Sequence, residues 1–243
     1  MIWLTSALHF GCYYAPFAVA EWALGYSVEE PSRRRWWPRF LFLVFARIAL
    51  VALLSIFVFP QIWQLDFAWT LIGREFWRQV PEPICLLAAI LVYSFFYYWA
   101  HRFLHGIQFF WRSHQMHHSP DRFDLSLSVY SHPIDFLVIV ASLCLAILIC
   151  GFPLSYFAVL GIGDEVISRW LHLRIRTPRW MGNFFFRPEQ HGLHHATHDI
   201  NFGIIPLWDQ VFGTFENPRV APEKFGLAAE AQFWPMFFLK KLS

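Results

Sequence analysis

The stretch PIDFLVIVASLCLAILICGFPLSYFAVLGIGDEVISRWLH, residues 133–172, decides how this chain is built. Residues 133–150 form an apolar run close to the roughly 20 residues that a helix needs to cross a bilayer. GFP at 151–153 then breaks the helix, because Pro153 has no N–H to donate and Gly151 is a poor helix former. Residues 154–172 follow as a return helix, so 133–172 reads as a transmembrane hairpin. Two histidine-rich motifs flank it: HQMHH at 114–118 and HGLHH at 191–195. If both legs cross, the two motifs face the same side. With one crossing they would lie on opposite sides and could not share a site.

Composition agrees with a membrane setting. The 243 residues are 57% hydrophobic and 20% aromatic, with a mean hydropathy of +0.40. Only 15% are charged, against about a quarter in soluble domains. Further spans read at 3–25, 38–60 and 83–105, the first being the least regular because it carries His9 and Glu21. Residues 61–82 mix Trp, Phe and charge and read as an interfacial or partly re-entrant helix. No cleavable signal peptide is apparent, since the first apolar run is long and lacks a basic leader. Cys12, Cys85, Cys144 and Cys150 lie in apolar segments without a C-x-x-C pair, and read as buried spectator thiols.

The basic residues give the orientation. Arg33, Arg34, Arg35 and Arg39 fall between the first two spans, and Arg102, Arg112 and Arg122 among the first histidines. Arg174, Arg176, Arg179, Arg187, Arg219, Lys224, Lys240 and Lys241 follow the hairpin, whereas 61–82 holds only Arg74 and Arg78. With five spans and an outside N-terminus, the excess of Lys and Arg on cytoplasmic loops places every histidine motif in the cytoplasm. The expected fold is an all-α integral membrane protein of about 4–5 spans in helical hairpins, with a cytoplasmic helical cap carrying a dinuclear metal site. It reads as a single membrane-embedded domain over 1–243: N-terminal spans and interfacial helix at 1–82, a core at 83–216, and a tail at 217–243.

HRFLH at 101–105 precedes HQMHH. On a helix, positions i, i+3 and i+4 share a face. His101 and His105, then His114, His117 and His118, then His191, His194 and His195 therefore project as three groups near the cytoplasmic surface. Imidazole is the commonest neutral metal ligand, and its second nitrogen can take an orienting hydrogen bond. Eight such ligands exceed what one ion can use, and His172, at the end of the return helix, is a ninth candidate. Four or five imidazoles per ion exceed the usual zinc pattern of three ligands plus water or a closed four. Imidazole suits iron, copper, zinc and nickel alike, so ligand type does not decide; coordination number and the membrane setting favour a dinuclear non-haem iron site. Neither Glu-x-x-His nor H-E-x-x-H occurs, which removes the carboxylate-rich soluble di-iron bundles and the zinc metalloproteases.

Other polar residues have two readings each. His9 reads as an isolated buried histidine. His132, before Pro133, is a hydrogen-bond partner of the site or a helix-entry residue, and His198 is such a partner or a surface residue. Asp164 and Glu165 stand about two turns before His172, where they line a substrate cavity or form a helix-end ion pair with Arg169. Asp209 accepts a hydrogen bond from a ligand histidine or caps a turn. Trp208 and Phe212 read as packing residues, Asn201 and Gly203 as turn residues, and FFFRPEQ at 184–190 as an aromatic interfacial loop.

HRFLH, HQMHH and HGLHH with hydrophobic hairpins between them resemble the fatty acid hydroxylase/sterol desaturase superfamily of integral membrane enzymes. WRSHQMHHSPDRFDLSLSVYSHP (111–133) and the tail HHATHDINFGIIPLWDQVFGTF (194–215) carry the likeness further, over about 85–216. The resemblance implies two iron ions that activate O2 and oxidise an unactivated C–H bond of a membrane lipid, by hydroxylation or desaturation. Zinc could replace iron in purified protein. The resemblance further implies electrons from NAD(P)H through a separate cytochrome b5-, ferredoxin- or reductase-like protein, with no fused cytochrome b5 domain expected. His172 matches a family ligand, whereas a further histidine of some members is Arg176 here. A water, His132 or His198 is then the candidate replacement. The expected partners are a membrane lipid (fatty acyl chain, sterol, carotenoid or aminolipid), the bilayer and the electron donor, with no nucleic acid. A zinc hydrolase using the same cage, or a metal-handling membrane protein, remain the alternatives. The latter would need ligands spread along a path across the bilayer.

Overall fold

The computed structural model describes residues 14–25, 33–64, 73–227 and 232–240. Among these the fold is helical, with no strand. The helices are α1 (14–24), α2 (Arg33–Leu53), α3 (Phe59–Gln64), α4 (Arg74–Gln79), α5 (Glu82–Gly106), α6 (Gln108–His118), α7 (Pro133–Cys150), α8 (Ser155–Leu171), α9 (Pro188–Thr197), α10 (Pro206–Phe212) and α11 (Phe233–Phe237). A π-helical turn, Leu54–Val58, joins α2 to α3.

Three helical stretches are long and apolar enough to cross a membrane: Trp36–Ile62, Glu82–Gly106 and Pro133–Cys150. Their outward faces stay apolar, with Phe45, Ile56, Phe57, Leu87 and Leu145 exposed, as lipid-facing surfaces require. The return leg α8 has 17 residues, about 25 Å of helix, and buries Tyr156, Leu160, Arg169 and Leu171. Of the proposed span 3–25, only 14–25 lies within the described residues; His9 and Cys12 fall outside them.

The hairpin forms as its sequence dictates. Gly151 closes α7 in the left-handed conformation (φ 69°), which a glycine adopts without a Cβ clash, and α8 begins after Pro153. At this turn, Trp77 of α4 donates its indole N–H to the Cys150 carbonyl (2.7 Å) and packs on Phe152. The segment before α5 therefore sits at the turn end of the hairpin, and the histidines sit at the other. α5, α7 and α8 pack around Ala89, Tyr93, Leu143, Ala146, Ile147 and Leu160. A second core, around Met116, Phe123, Leu127 and Tyr130, joins the start of α2 and α11 to the histidine-bearing cap; Trp36 stacks on Tyr130 at 4.4 Å.

Candidate metal centre

Each histidine motif is held by its own element. His101 and His105 end α5, and Ile107 breaks the helix so that α6 folds back with His114, His117 and His118. α9 begins at Pro188 behind an anchored start: Gln190 accepts the Arg187 N–H, and the buried Arg187 side chain bonds to Thr177 and Asn217. It ends at His198, which takes a left-handed conformation (φ 71°). His172 caps the C-terminus of α8.

These elements bring nine imidazoles into two adjoining groups. One donor nitrogen from each of His101, His105, His114, His118 and His194 lies within 4.8 Å of the others, and the same holds for His117, His172, His191 and His195. Within the first group, Nε2 of His114 is 3.2 Å from Nε2 of His101 and 3.1 Å from Nε2 of His118. Within the second, Nε2 of His172 is 3.3 Å from that of His117 and 3.0 Å from that of His191. Donors about 2.0–2.1 Å from a shared ion, at tetrahedral to right angles, are roughly 2.8–3.4 Å apart. The spacing therefore fits one transition-metal ion per group.

Hydrogen bonds fix the tautomers. His101 donates its Nδ1 proton to the Phe202 carbonyl (2.7 Å), His117 to Tyr130 (3.0 Å), His172 to Ser168 (2.7 Å) and His194 to Ile200 (2.7 Å). His114 donates to the Asp135 carboxylate at 3.1 Å. Each of these five rings thus presents a bare Nε2 lone pair inward. Lone pairs at this separation repel unless a cation lies between them. Nε2 of His105, His194 and His195 is buried with no hydrogen-bond partner among the described residues, as a ligand atom would be. Burial, with repulsion from neighbouring imidazoles, holds His114, His118, His191, His194 and His195 far below the ordinary histidine range, and burial lowers His117 to about 4. All six are neutral at pH 7, the form that binds metal.

The remaining candidates separate clearly. His132 caps α7, its Nδ1 accepting the Ile134 N–H while Nε2 donates to the Phe237 carbonyl, so both nitrogens are occupied away from the cage. His198 stands beside the first group, its ring 4.9 Å from that of His118 and 5.6 Å from Trp111. Arg176 is exposed. Asp209 is fully buried but takes no histidine proton: it accepts the N–H groups of Phe202 and Gly203 (both 2.8 Å) and the Thr214 hydroxyl. It therefore holds the turn whose Phe202 carbonyl orients His101. Gly203 is required there, because a Cβ would lie 2.8 Å from the Asp209 carboxylate. Glu165 bonds to Arg169 (2.7 Å) and also to Arg47 of α2. Asp164 lines a cavity that runs from His101, His114, His117, His172 and His191 to Arg47, with Leu104, Phe136, Ile139, Leu171 and Ile204 as apolar walls.

Sequence reading gave no role to Asp135 or to Arg47. Both are charges inside apolar helices, a placement that costs free energy unless the group has a partner or a role. That signal could have found them.

Among the described residues, helices alone bring two inward-facing imidazole groups together at one end of a helical hairpin. The chain belongs to the fatty acid hydroxylase family, whose model matches residues 86–214. Alkylglycerol monooxygenase of Homo sapiens is 28% identical over 141 residues, 56% of this chain and 31% of that protein. An ornithine lipid hydroxylase of Rhizobium tropici is 31% identical over 152 residues, 59% of this chain and 46% of that one. A very-long-chain aldehyde decarbonylase of Oryza sativa is 25% identical over 148 residues, 56% of this chain and 57% of the rice protein. The chain spans about a third to a half of the length of the first of these curated relatives. No solved structure matches it.

Proposed function

We propose that this chain is a membrane-bound lipid oxygenase, a hydroxylase or desaturase, with two iron ions held by nine histidines. His101, His105, His114, His118 and His194 would hold one ion, and His117, His172, His191 and His195 the other. The reading rests on the two inward-facing nitrogen groups, each spaced for one ion, whose fixed outer protons leave bare donors inside. When bound, such a pair supplies O2 activation and hydrogen abstraction from an unactivated C–H bond.

The chain's own residues do the rest. Asp135 and the carbonyls of Tyr130, Ser168, Ile200 and Phe202 hold the rings in one orientation, so ligand geometry is set before metal arrives. Leu104, Phe136, Ile139, Leu171 and Ile204 keep the cavity wall dry, which protects a reactive centre from water. The substrate is a membrane lipid, in line with relatives named for alkylglycerols, ornithine lipids and very-long-chain aldehydes. A cavity reached from the bilayer lets an alkyl chain approach without transfer into water. The chain forms one membrane-embedded domain of five crossings, with the histidine cap on the cytoplasmic side.

Hydroxylation puts one atom of O2 into a C–H bond and reduces the other to water, consuming two electrons and two protons. Desaturation removes two hydrogens with the same input and releases two waters. The electrons come from NAD(P)H through a separate redox protein. The test is O2 uptake by iron-loaded protein supplied with membrane lipid extract, NAD(P)H and a reductase, with mass spectrometry of the lipids. The expected product gains one oxygen or loses two hydrogens. Stoichiometric zinc in protein from iron-replete cells, with no O2 uptake, would contradict the proposal and favour a hydrolase.

A further inference from the structure

The cavity beside the imidazoles is not a plain hydrocarbon slot. Besides its apolar walls it is lined by Arg47, Asp164, Glu165, Ser128, Ser168 and Asp135. Arg47 lies over the ring of Phe136, 4.7 Å from its centroid, in the first turn of α7. The charged end of the cavity therefore stands at the histidine end of that span, next to Asp135 and His114, and not at mid-membrane. There it can meet the polar end of a lipid lying with its chain in the bilayer.

The hydrogen-bonding balance of this lining is one-sided. Glu165 binds both Arg47 and Arg169, so that both guanidinium groups already face a carboxylate. Asp164 lines the same cavity with the Tyr93 hydroxyl, Arg47 and Arg169 close by, and it forms no salt bridge of its own among the described residues. Asp135, 4% exposed, uses Oδ2 on His114, and its Oδ1 has no hydrogen-bond partner among the described residues. Ser128 and Ser168 donate their hydroxyl protons to the carbonyls of Leu125 and Ser128, leaving only acceptor lone pairs toward the cavity. The lining thus carries three carboxylates, Asp135, Asp164 and Glu165, against one guanidinium, and stays acceptor-rich even with the Tyr97 and Ser131 hydroxyls counted as donors. A buried acceptor without a donor carries a desolvation penalty that a ligand N–H or O–H relieves.

Resting on the oxygenase reading above, we infer that the cavity binds the polar end of a lipid bearing a hydroxyl or amine, with Asp164 as its principal acceptor. Oxidation then falls on a carbon near that end. A carboxylate or phosphate in the same place would face Asp135, Asp164 and Glu165 and be repelled.

The experiment compares binding of hexadecylamine, hexadecan-1-ol, 1-methoxyhexadecane and hexadecanoate to the iron-loaded, detergent-solubilised full chain, by competition with a radiolabelled probe. Iron content and O2 uptake are measured on the same preparation. The amine and the alcohol are expected to bind about tenfold more tightly than the methyl ether, and hexadecanoate more weakly than either. Asp164→Asn should remove most of the preference for the amine while iron content is unchanged. Equal binding of alcohol and ether, or tightest binding of hexadecanoate, would overturn the inference even if Asp164→Asn fails to fold. Absence of iron and of O2 uptake would instead strike the oxygenase reading and leave the binding preference standing. In turnover, oxygen should enter the half of the chain nearer the polar group, and attack near the methyl end would also overturn the inference.

Discussion

His117 and His118 are neighbours in the chain and belong to different cages. Nε2 of His117 stands 3.3 Å from that of His172, and Nε2 of His118 stands 3.1 Å from that of His114. His194 and His195 divide in the same way. Adjacent helical residues point about 100° apart, so each His-His pair straddles the boundary between two ions. Replacing either member of a pair should therefore disturb one site and spare the other. In His118→Ala and, separately, His117→Ala, membrane insertion should persist while metal content falls from about two ions per chain to about one, as measured by elemental analysis. Turnover should be lost in both. Unchanged metal content in either variant would remove that histidine from the ligand set.

Asp135 holds His114 in the tautomer that bares Nε2. Partners of this kind typically account for about 10–100-fold in metal affinity or activity. Asp135→Asn should weaken iron binding by roughly that factor in chelator competition, with the helix content of the protein unchanged. Wild-type affinity would show that the backbone carbonyls alone suffice to orient the rings.

Asp209 gives a pH dependence with a definite sign. Burial raises its carboxyl from 3.8 to about 6, against the opposing hydrogen bonds from Thr214, Phe202 and Gly203. The folded state thus holds this proton more tightly than the unfolded state. Its contribution to stability is full below pH 3.8 and is lost as pH rises to about 6. Asp209→Asn lacks that slope, so the difference in thermal stability between wild type and variant should change across this window and be flat above it. The variant should also be less stable at pH 7, because an amide offers one oxygen where the carboxylate uses two. Thermal unfolding in detergent at a series of pH values checks both points.

Topology can be tested with single cysteines in a chain from which the native thiols have been removed. Gln108 and Phe184 are exposed near the histidine end, whereas Glu75 is exposed near the hairpin turn. A membrane-impermeant thiol reagent should label Gln108→Cys and Phe184→Cys from the cytoplasmic side and Glu75→Cys from the other. Labelling of positions 108 and 184 from opposite sides would break the hairpin topology.

Much of this was legible in the sequence because periodicity and side-chain chemistry are local. The GFP break defines the hairpin, and the spacing of each motif places its histidines on one helical sector. The approach of three such sectors and His172 is a tertiary event, which spacing alone does not fix. The groups that orient the rings were the least visible. Four of the five are backbone carbonyls, which every residue carries, so no residue type marks Tyr130, Ser168, Ile200 or Phe202. Glu165 was read with Arg169, one turn away, yet it also meets Arg47 from a distant helix. Glu21 looked like a flaw in the first span, and its carboxylate accepts the N–H groups of Leu125 and Arg174. In each case a charge in an apolar helix signalled a partner without naming it.

Under the proposed function, two metal ions share this cage. Mössbauer spectroscopy of protein loaded with enriched iron, with the metal counted on the same sample, tests it most directly. About two non-haem iron ions per chain are expected, in two distinct nitrogen-rich environments, one with five and one with four imidazoles. A single iron environment at one ion per chain, or protein that takes up no iron while fully folded, would contradict it.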